Sequence, residues 1–451
     1  MGYSLMMGGT PCYLGSLAPE LIDNILLEID SVHALFSFIL TAPFIYARFK
    51  DQRQFMIFRV LQNELGPVLI DAKFLCIFPH ADPVEPESRA EHWEWIHKMA
   101  ALYKNMLGGS GENRLPTMAD LTRLCRTLHG MNHLASIYIA TQKCLFGNED
   151  LAAASISRVE RLRILRAFYR RQITSNALSP KRQPRWVEED VAAISNTSSH
   201  QGVRLGLLAA FEPWELQHID HADYFITHLC VALRLAGEEA VAAPAPAGSP
   251  NLEVLVQPIG EAEFGDIFSH VDRLVGYVRE HPSLADAALR ALPLSLLWLA
   301  TSPGDLDAGA VSYQFVQRYP LLCLHFGWQS HRAKILPDPS REELEEQRRE
   351  RQGAVGAGSD ATLNFVGDAV DLPPFGWVDA LDGYYANWFG QGLVFIPWVP
   401  LPHPEQGTLR ARYTSLMLWR GAGFAFWDSW RVETLKELHL LKTLRRGWVV
   451  Y

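Results

Sequence analysis

The 451 residues include only six cysteines, Cys12, Cys76, Cys125, Cys144, Cys230 and Cys323, far apart and without a C-x-x-C pair. That scarcity excludes a zinc knuckle and a dense disulfide framework, and it fits a reducing compartment. There is no excess of positive charge, since 41 Lys and Arg stand against 50 Asp and Glu for a formal net charge of −9. A general nucleic-acid binder needs a concentrated basic footprint, so that class is set aside. Long apolar runs are missing too. The longest, Val32 to Ala47, is about sixteen residues and is interrupted by Pro43, against the roughly twenty that span a bilayer.

Other absences remove catalytic classes. The chain has no G-x-x-x-x-G-K-[ST] phosphate loop and no G-x-S-x-G elbow, and Gly353, Gly356 and Gly358 follow a charged stretch rather than a strand. The start, MGYSLMMGG, has neither a charged region nor an apolar block of the secretory kind, and Met6 stands where a myristoylation site requires Ser or Thr. Cytoplasm or nucleus is therefore the expected location. No fixed-period repeat marks a solenoid or propeller.

With 48% hydrophobic and 20% charged residues, the chain has enough apolar material for a large core and for two or three subdomains. Its pattern is mainly α. Residues 15–66 carry three short apolar helical patterns. Leu17, Leu21, Ile22, Ile25, Leu26 and Ile29 recur at helical spacing behind Ser16, a potential cap, and Pro19, which falls in a first turn where a missing N–H costs nothing. Ser31 is placed to cap a second helix through Leu35, Phe36, Ile39 and Leu40, ending before Pro43. A third pattern runs from Phe44 to Glu64 and closes at Gly66 and Pro67. Fifty residues make a thin core, so the unit is expected to lean on its own chain, a partner, or both.

Beyond it, a helical body is expected over 67–236. A helix over Glu91–Leu107 stops at Gly108-Gly109, and capping boxes at Thr117/Asp120 and Ser157/Glu160 open helices through Tyr138 and from Arg158 to Asn176. Another run extends from Pro213-Trp214 to Gly237. The Ala/Pro stretch 237–251 reads as a linker or loop, 252–338 as a further helical region, and 339–360 as a charged, Gly-rich surface excursion. The final part, 361–451, is rich in aromatics and glycine.

Three clusters carry possible chemistry. Cys125, His129 and His133 lie at i, i+4 and i+8, a stripe of potential metal ligands, but Gly130 stands where a metalloprotease helix needs its Glu. His218, Asp220, His221, Asp223 and His228, with Glu212 and Glu215 near, form a second potential metal patch. Helix geometry separates 218, 221 and 228 from 220 and 223. Among the six arginines between Arg158 and Arg171, Arg163, Arg166 and Arg170 form one stripe, open to a phosphate or acidic ligand but expected to serve salt bridges to the acidic remainder. No metal or cofactor is expected.

The residues Leu17-Ala18-Pro19-Glu20-Leu21, Ile25-Leu26, Ile29, Leu35, Leu40 and Pro43-Phe44-Ile45-Tyr46 resemble the F-box pattern in the divergent form common in filamentous fungi. Ala18 replaces the usual proline, which comes one step later at Pro19, and Tyr46 stands near the position of a frequent tryptophan. Two further stretches resemble landmarks of the same proteins: Gly423-Phe424-Ala425-Phe426-Trp427-Asp428 followed by Arg431 and Leu435, and the segments Leu162–Tyr169 and Phe211–Leu216. The resemblance implies an N-terminal F-box-like module that binds a Skp-type adaptor, and through it a cullin, by Leu17, Pro19, Leu21, Ile25, Leu26, Ile29, Leu35 and Leu40. The whole would be a non-catalytic substrate receptor of a ubiquitin ligase, acting on an unknown target protein without nucleic acid or membrane. The alternative is an interaction or scaffold protein that keeps the fold without ligase assembly, and a more distant one is a metal-dependent enzyme using the His/Asp patch.

Overall fold

The computed structural model describes residues 13–78, 89–109, 115–145, 156–177, 271–280, 367–376 and 423–437, together with 207, 210–212, 214–215, 218–219, 221–222, 225–226 and 229. These residues are 82% helical and include no strand, so the fold is mainly α. The expected loop at 237–251 and the charged excursion at 339–360 lie outside the described residues. So do most of 252–338 and of the aromatic C-terminal part. The chain divides into two compact units, one of Met1–Cys76 with Glu112–Leu128, the other of Ile77–Gly111 with His129–Tyr451.

The first unit begins with a 3₁₀ turn, Tyr13–Ser16, and then α1, Pro19–Glu28. Pro19 sits in the first turn as expected, but the residue before the helix is Ala18, whose side chain cannot cap. Ser16 is instead the last residue of the 3₁₀ turn, two positions before the N-cap residue Ala18. Ser31 does cap α2, Val32–Ile39, accepting the Ala34 N–H at 3.0 Å. The single third pattern is two helices: α3, Pro43–Asp51, and α4, Arg53–Leu65, which break at Gln52. The reason lies in Lys50-Asp51-Gln52-Arg53, four consecutive exposed polar residues with no apolar side chain to hold the backbone straight against a core. α4 ends at Gly66 with φ of 50°, as its position before Pro67 predicted, and α5, Leu69–Ile77, follows a 3₁₀ turn.

The core of this unit follows an i, i+4 rule on the short helices: Ile22 and Leu26, Leu35 and Ile39, Ile45 and Phe49 are buried, and α4 adds Met56, Ile57, Val60, Leu61 and Leu65. Each fully buried Leu or Ile contributes about 1.5–3 kcal/mol. α1 and α2 each pack against both α3 and α4. Polar links fix the turn between α1 and α2 onto α4. Asn63 Nδ2 donates to the carbonyls of Leu27 at 2.7 Å and Ile29 at 3.0 Å, and Glu64 accepts the Val32 N–H at 2.7 Å, placing a carboxylate at the N-terminus of α2 where the helix dipole favours it. Arg48 of α3 donates through Nε to Asp23 of α1 at 3.0 Å, and its Nη2 reaches the other oxygen.

In the second unit α6, Arg89–Leu107, ends where Gly108 and Gly109 follow. α7, Met118–Leu145, opens with the predicted capping box in the first unit: Thr117 N–H donates to Asp120 Oδ2 at 3.1 Å and Asp120 N–H returns to Thr117 Oγ at 3.2 Å. α8, Arg158–Ala177, opens with the other, Ser157 N–H to Glu160 at 3.0 Å and Glu160 N–H to Ser157 Oγ at 3.0 Å. α9 is Val271–Glu280 and α10 is Ser429–Glu437, the latter preceded by a 3₁₀ turn over Phe424–Phe426. Tyr138, Phe168, Phe225 and Phe426 meet edge to face at centroid distances of 5.1–6.2 Å, tying α7 and α8 to two segments distant in sequence.

Candidate docking surfaces

The eight residues that the resemblance places against an adaptor do not share one environment. Leu26 and Leu35 are fully buried and serve the unit's own core. Leu17 and Ile29 are half-buried. Pro19, Leu21, Ile25 and Leu40 are exposed, Leu21 at 49%, Ile25 at 38% and Leu40 at 81%. An exposed apolar side chain marks a contact site only as part of a contiguous patch.

The exposed set divides between two faces. On α1, Ile22 and Leu26 point inward, and Asp23, one position round from Ile22, faces α3 through Arg48. At 100° per residue, Leu21 and Ile25 fall on the opposite flank of α1 from Asp23. On α2 and α3 the arrangement is different. Phe36 and Tyr46 both lean on buried Phe49, with ring centroids 6.4 and 6.5 Å away. They are 39% and 50% exposed, and Leu40 lies one turn beyond Phe36. Phe36 belongs to the apolar pattern of the second helix and Tyr46 to the F-box-like pattern, and neither pattern marks them as a surface. The signal was available, since each directly follows a residue of the buried i, i+4 stripe.

The arginine stripe behaves as its acidic surroundings predicted. Arg163 reaches Asp428 at 2.6 Å and the Phe426 carbonyl at 3.1 Å; Arg166 reaches Asp371 at 2.6 Å and the Val370 carbonyl at 3.1 Å; Arg170 reaches Glu215 at 2.6 Å. All three side chains are buried, so the stripe is internal scaffolding and offers no open anion site. Arg431 closes the set on Glu160, which also accepts the Asp428 N–H at 3.1 Å.

Burial pushes the Asp428 carboxyl up to about 6, against the pull of its Ser157 hydrogen bond and of Arg163. Nearby His218 is held well below its ordinary value by burial, and its Nε2 is 2.6 Å from the Ala425 carbonyl, which makes it the protonated nitrogen of a neutral ring. Its ring stacks on Phe426 at 4.5 Å. His218 is thereby committed to holding the segment before α10 in place.

Asp220, Asp223 and His228 lie outside the described residues, and among the described residues no group of three His, Cys, Asp or Glu is placed to hold a metal. In the other stripe His129 is exposed, and the Cys125 thiol is pushed up to about 11 by burial. Among the described residues no helix is long and apolar enough to cross a membrane.

Comparison with protein families, curated proteins and solved structures gave no match to this chain.

Proposed function

We propose that the chain is an F-box-like, non-catalytic substrate receptor, whose α1 docks on a Skp-type adaptor and so joins a cullin-based ubiquitin ligase in cytoplasm or nucleus. The observation that carries this reading is the outer flank of α1. Pro19, Leu21 and Ile25 are exposed on a helix whose inward side is already filled by Ile22 and Leu26. The F-box-like spacing of Leu17 to Tyr46 supplies the identity of the partner, and the exposed flank supplies a place for it. Function would follow by proximity: the N-terminal unit binds the adaptor, and the second unit holds a target protein near the conjugating enzyme.

Leu26 and Leu35 have the different task of keeping α1 and α2 on α3 and α4. The docking set is therefore narrower than the motif: Pro19, Leu21, Ile25 and Leu40, with Leu17 and Ile29 at its margin. A pull-down with a Skp-type adaptor tests the reading. The wild-type chain co-purifies with the adaptor, and Leu21→Asp with Ile25→Asp abolishes this while the helical circular dichroism stays unchanged. Failure of the wild-type chain to bind would favour the alternative, an interaction or scaffold protein that keeps the helical unit without ligase assembly.

A further inference from the structure

Helix α1 is anchored to its unit by a narrow stripe. Its two buried side chains, Ile22 and Leu26, lie about 40° apart around the helix axis, against the roughly 100° or more that a core-facing helix buries. Two side chains on one line set how closely α1 lies against α3 and α4 but hold its rotation loosely. Asp23 and Ile25 stand about 80° to either side of that line, and Leu21 lies further out on the side of Ile25. Leu21 and Ile25 are exposed, so turning α1 about its axis towards Ile25 would bury apolar surface and be favoured by the hydrophobic effect. The same turn carries Asp23 away from α3.

Asp23 is tied on that side. Arg48 of α3 donates Nε to Asp23 Oδ1 at 3.0 Å and Nη2 to Oδ2, a two-pronged contact that fixes direction as well as distance. The Arg48 side chain is 36% exposed and that of Asp23 16%, and a pair so close to water adds little to stability. Its direction is what matters. It pulls on the flank of α1 opposite Leu21 and Ile25, and so opposes the turn that would bury them. Asn63 grips the other end of α1, through the carbonyls of Leu27 and Ile29, while the first turn begins at Ala18 without a side-chain cap.

We propose that the Asp23–Arg48 pair is a positioning device for the docking flank, holding α1 in the rotation that presents Leu21 and Ile25 outward. Its geometry rests on the first unit alone, and its use rests on the adaptor contact proposed for that flank. Arg48 acts through the orientation of α1.

The test uses the full chain with two separate reporters, Leu27→Cys on the Asp23 side of α1 and Leu21→Cys on the other, each alkylated with iodoacetamide and read by peptide mass mapping. A turn of α1 moves them in opposite senses. Adding Arg48→Met is expected to speed alkylation at position 27 about threefold and to slow it at position 21 by a similar factor, the scale of one partly exposed ion pair. In the chain without reporters, Arg48→Met is expected to weaken binding of a Skp-type adaptor by about the same factor in biolayer interferometry, with an unchanged circular dichroism melt. Arg48→Lys keeps the charge and one bond, and binds within twofold of the wild type. Unchanged alkylation at both positions overturns the proposal, and so does faster alkylation at both, which would mean that α1 merely loosens. Opposite shifts in alkylation with an unchanged adaptor affinity overturn it as well. A wild-type chain that does not bind the adaptor counts against the proposed function, and the two alkylation rates still decide whether the pair holds α1.

Discussion

Glu160 accepts the Ser157 N–H to close the capping box of α8 and, with the same two oxygens, receives Nε and Nη2 of Arg431 at 2.7 and 2.8 Å. One buried carboxylate thus starts a helix and anchors another that lies 271 residues away in sequence. Removing one member of a buried ion pair leaves the other charge uncompensated, a cost of about 3–5 kcal/mol. Glu160→Gln is accordingly expected to destabilise the second unit by about that amount, measured by urea denaturation followed through the tryptophan signal. Glu160→Gln with Arg431→Met costs less than the single change, because no charge is stranded. Equal destabilisation by the two would mean that the capping role, not the pair, carries the energy.

Two groups beside this pair give the second unit opposing pH responses. His218 has a folded value below the ordinary 6.5, so below that pH the unfolded chain binds a proton that the folded chain refuses, and stability is lost as pH falls through about 6.5. Asp428 is raised from 3.8 to about 6, so the folded chain holds its proton more tightly, and stability from this group is present below pH 3.8 and lost as pH rises through about 6. Carboxyl NMR of selectively labelled aspartate is expected to show one signal titrating near 6 that Asp428→Asn removes. His218→Phe is expected to flatten the loss of stability on acidification from pH 7 to 5, provided that melts are compared at fixed ionic strength.

Gly423 is expected to tolerate no side chain. Its φ is 85°, and a Cβ there would lie 2.6 Å from the Tyr138 hydroxyl and 3.3 Å from Gln142 Oε1. Strained backbone costs about 1–3 kcal/mol, to which the clash adds. Gly423→Ala should lower the melting temperature of the second unit more than Gly109→Ala, where φ is also positive, at 76°, but the space is open.

Cys125 should be nearly inert in the folded chain. With its thiol raised to about 11, alkylation by iodoacetamide at pH 8, located by peptide mass mapping, should be at least tenfold slower than in the chain unfolded by urea. Equal rates would show that the thiol is not buried in solution.

The helices of this protein were legible where apolar spacing and a cap agree. Ser31, Thr117 and Ser157 each open the helix expected of them, with the reciprocal bonds of a capping box at the latter two. The break at Gln52 was not legible, because the apolar pattern of Phe44 to Glu64 continues on both sides of it, and only the lack of anything to bury over 50–53 ends the helix. Arg163, Arg166 and Arg170 were visible as a stripe with salt bridges as their expected use. Their partners Asp371 and Asp428 were out of reach of any local pattern, being more than 200 residues away. For the proposed adaptor site, spacing identified apolar residues of α1 and α2 but not their direction. Leu21 and Leu26 look alike in the sequence, yet one is half-exposed and the other has no exposure, which depends on where α3 and α4 lie.

That difference gives the most direct test of the proposed function: co-purification of the full chain and its variants with a Skp-type adaptor, with circular dichroism melts in parallel. The predicted result is that Leu21→Asp with Ile25→Asp loses the adaptor at an unchanged melting temperature, whereas Leu26→Ala lowers stability by about 2–5 kcal/mol. A wild-type chain that brings down no adaptor, or a Leu21→Asp, Ile25→Asp chain that brings it down as well as the wild type, would contradict the account.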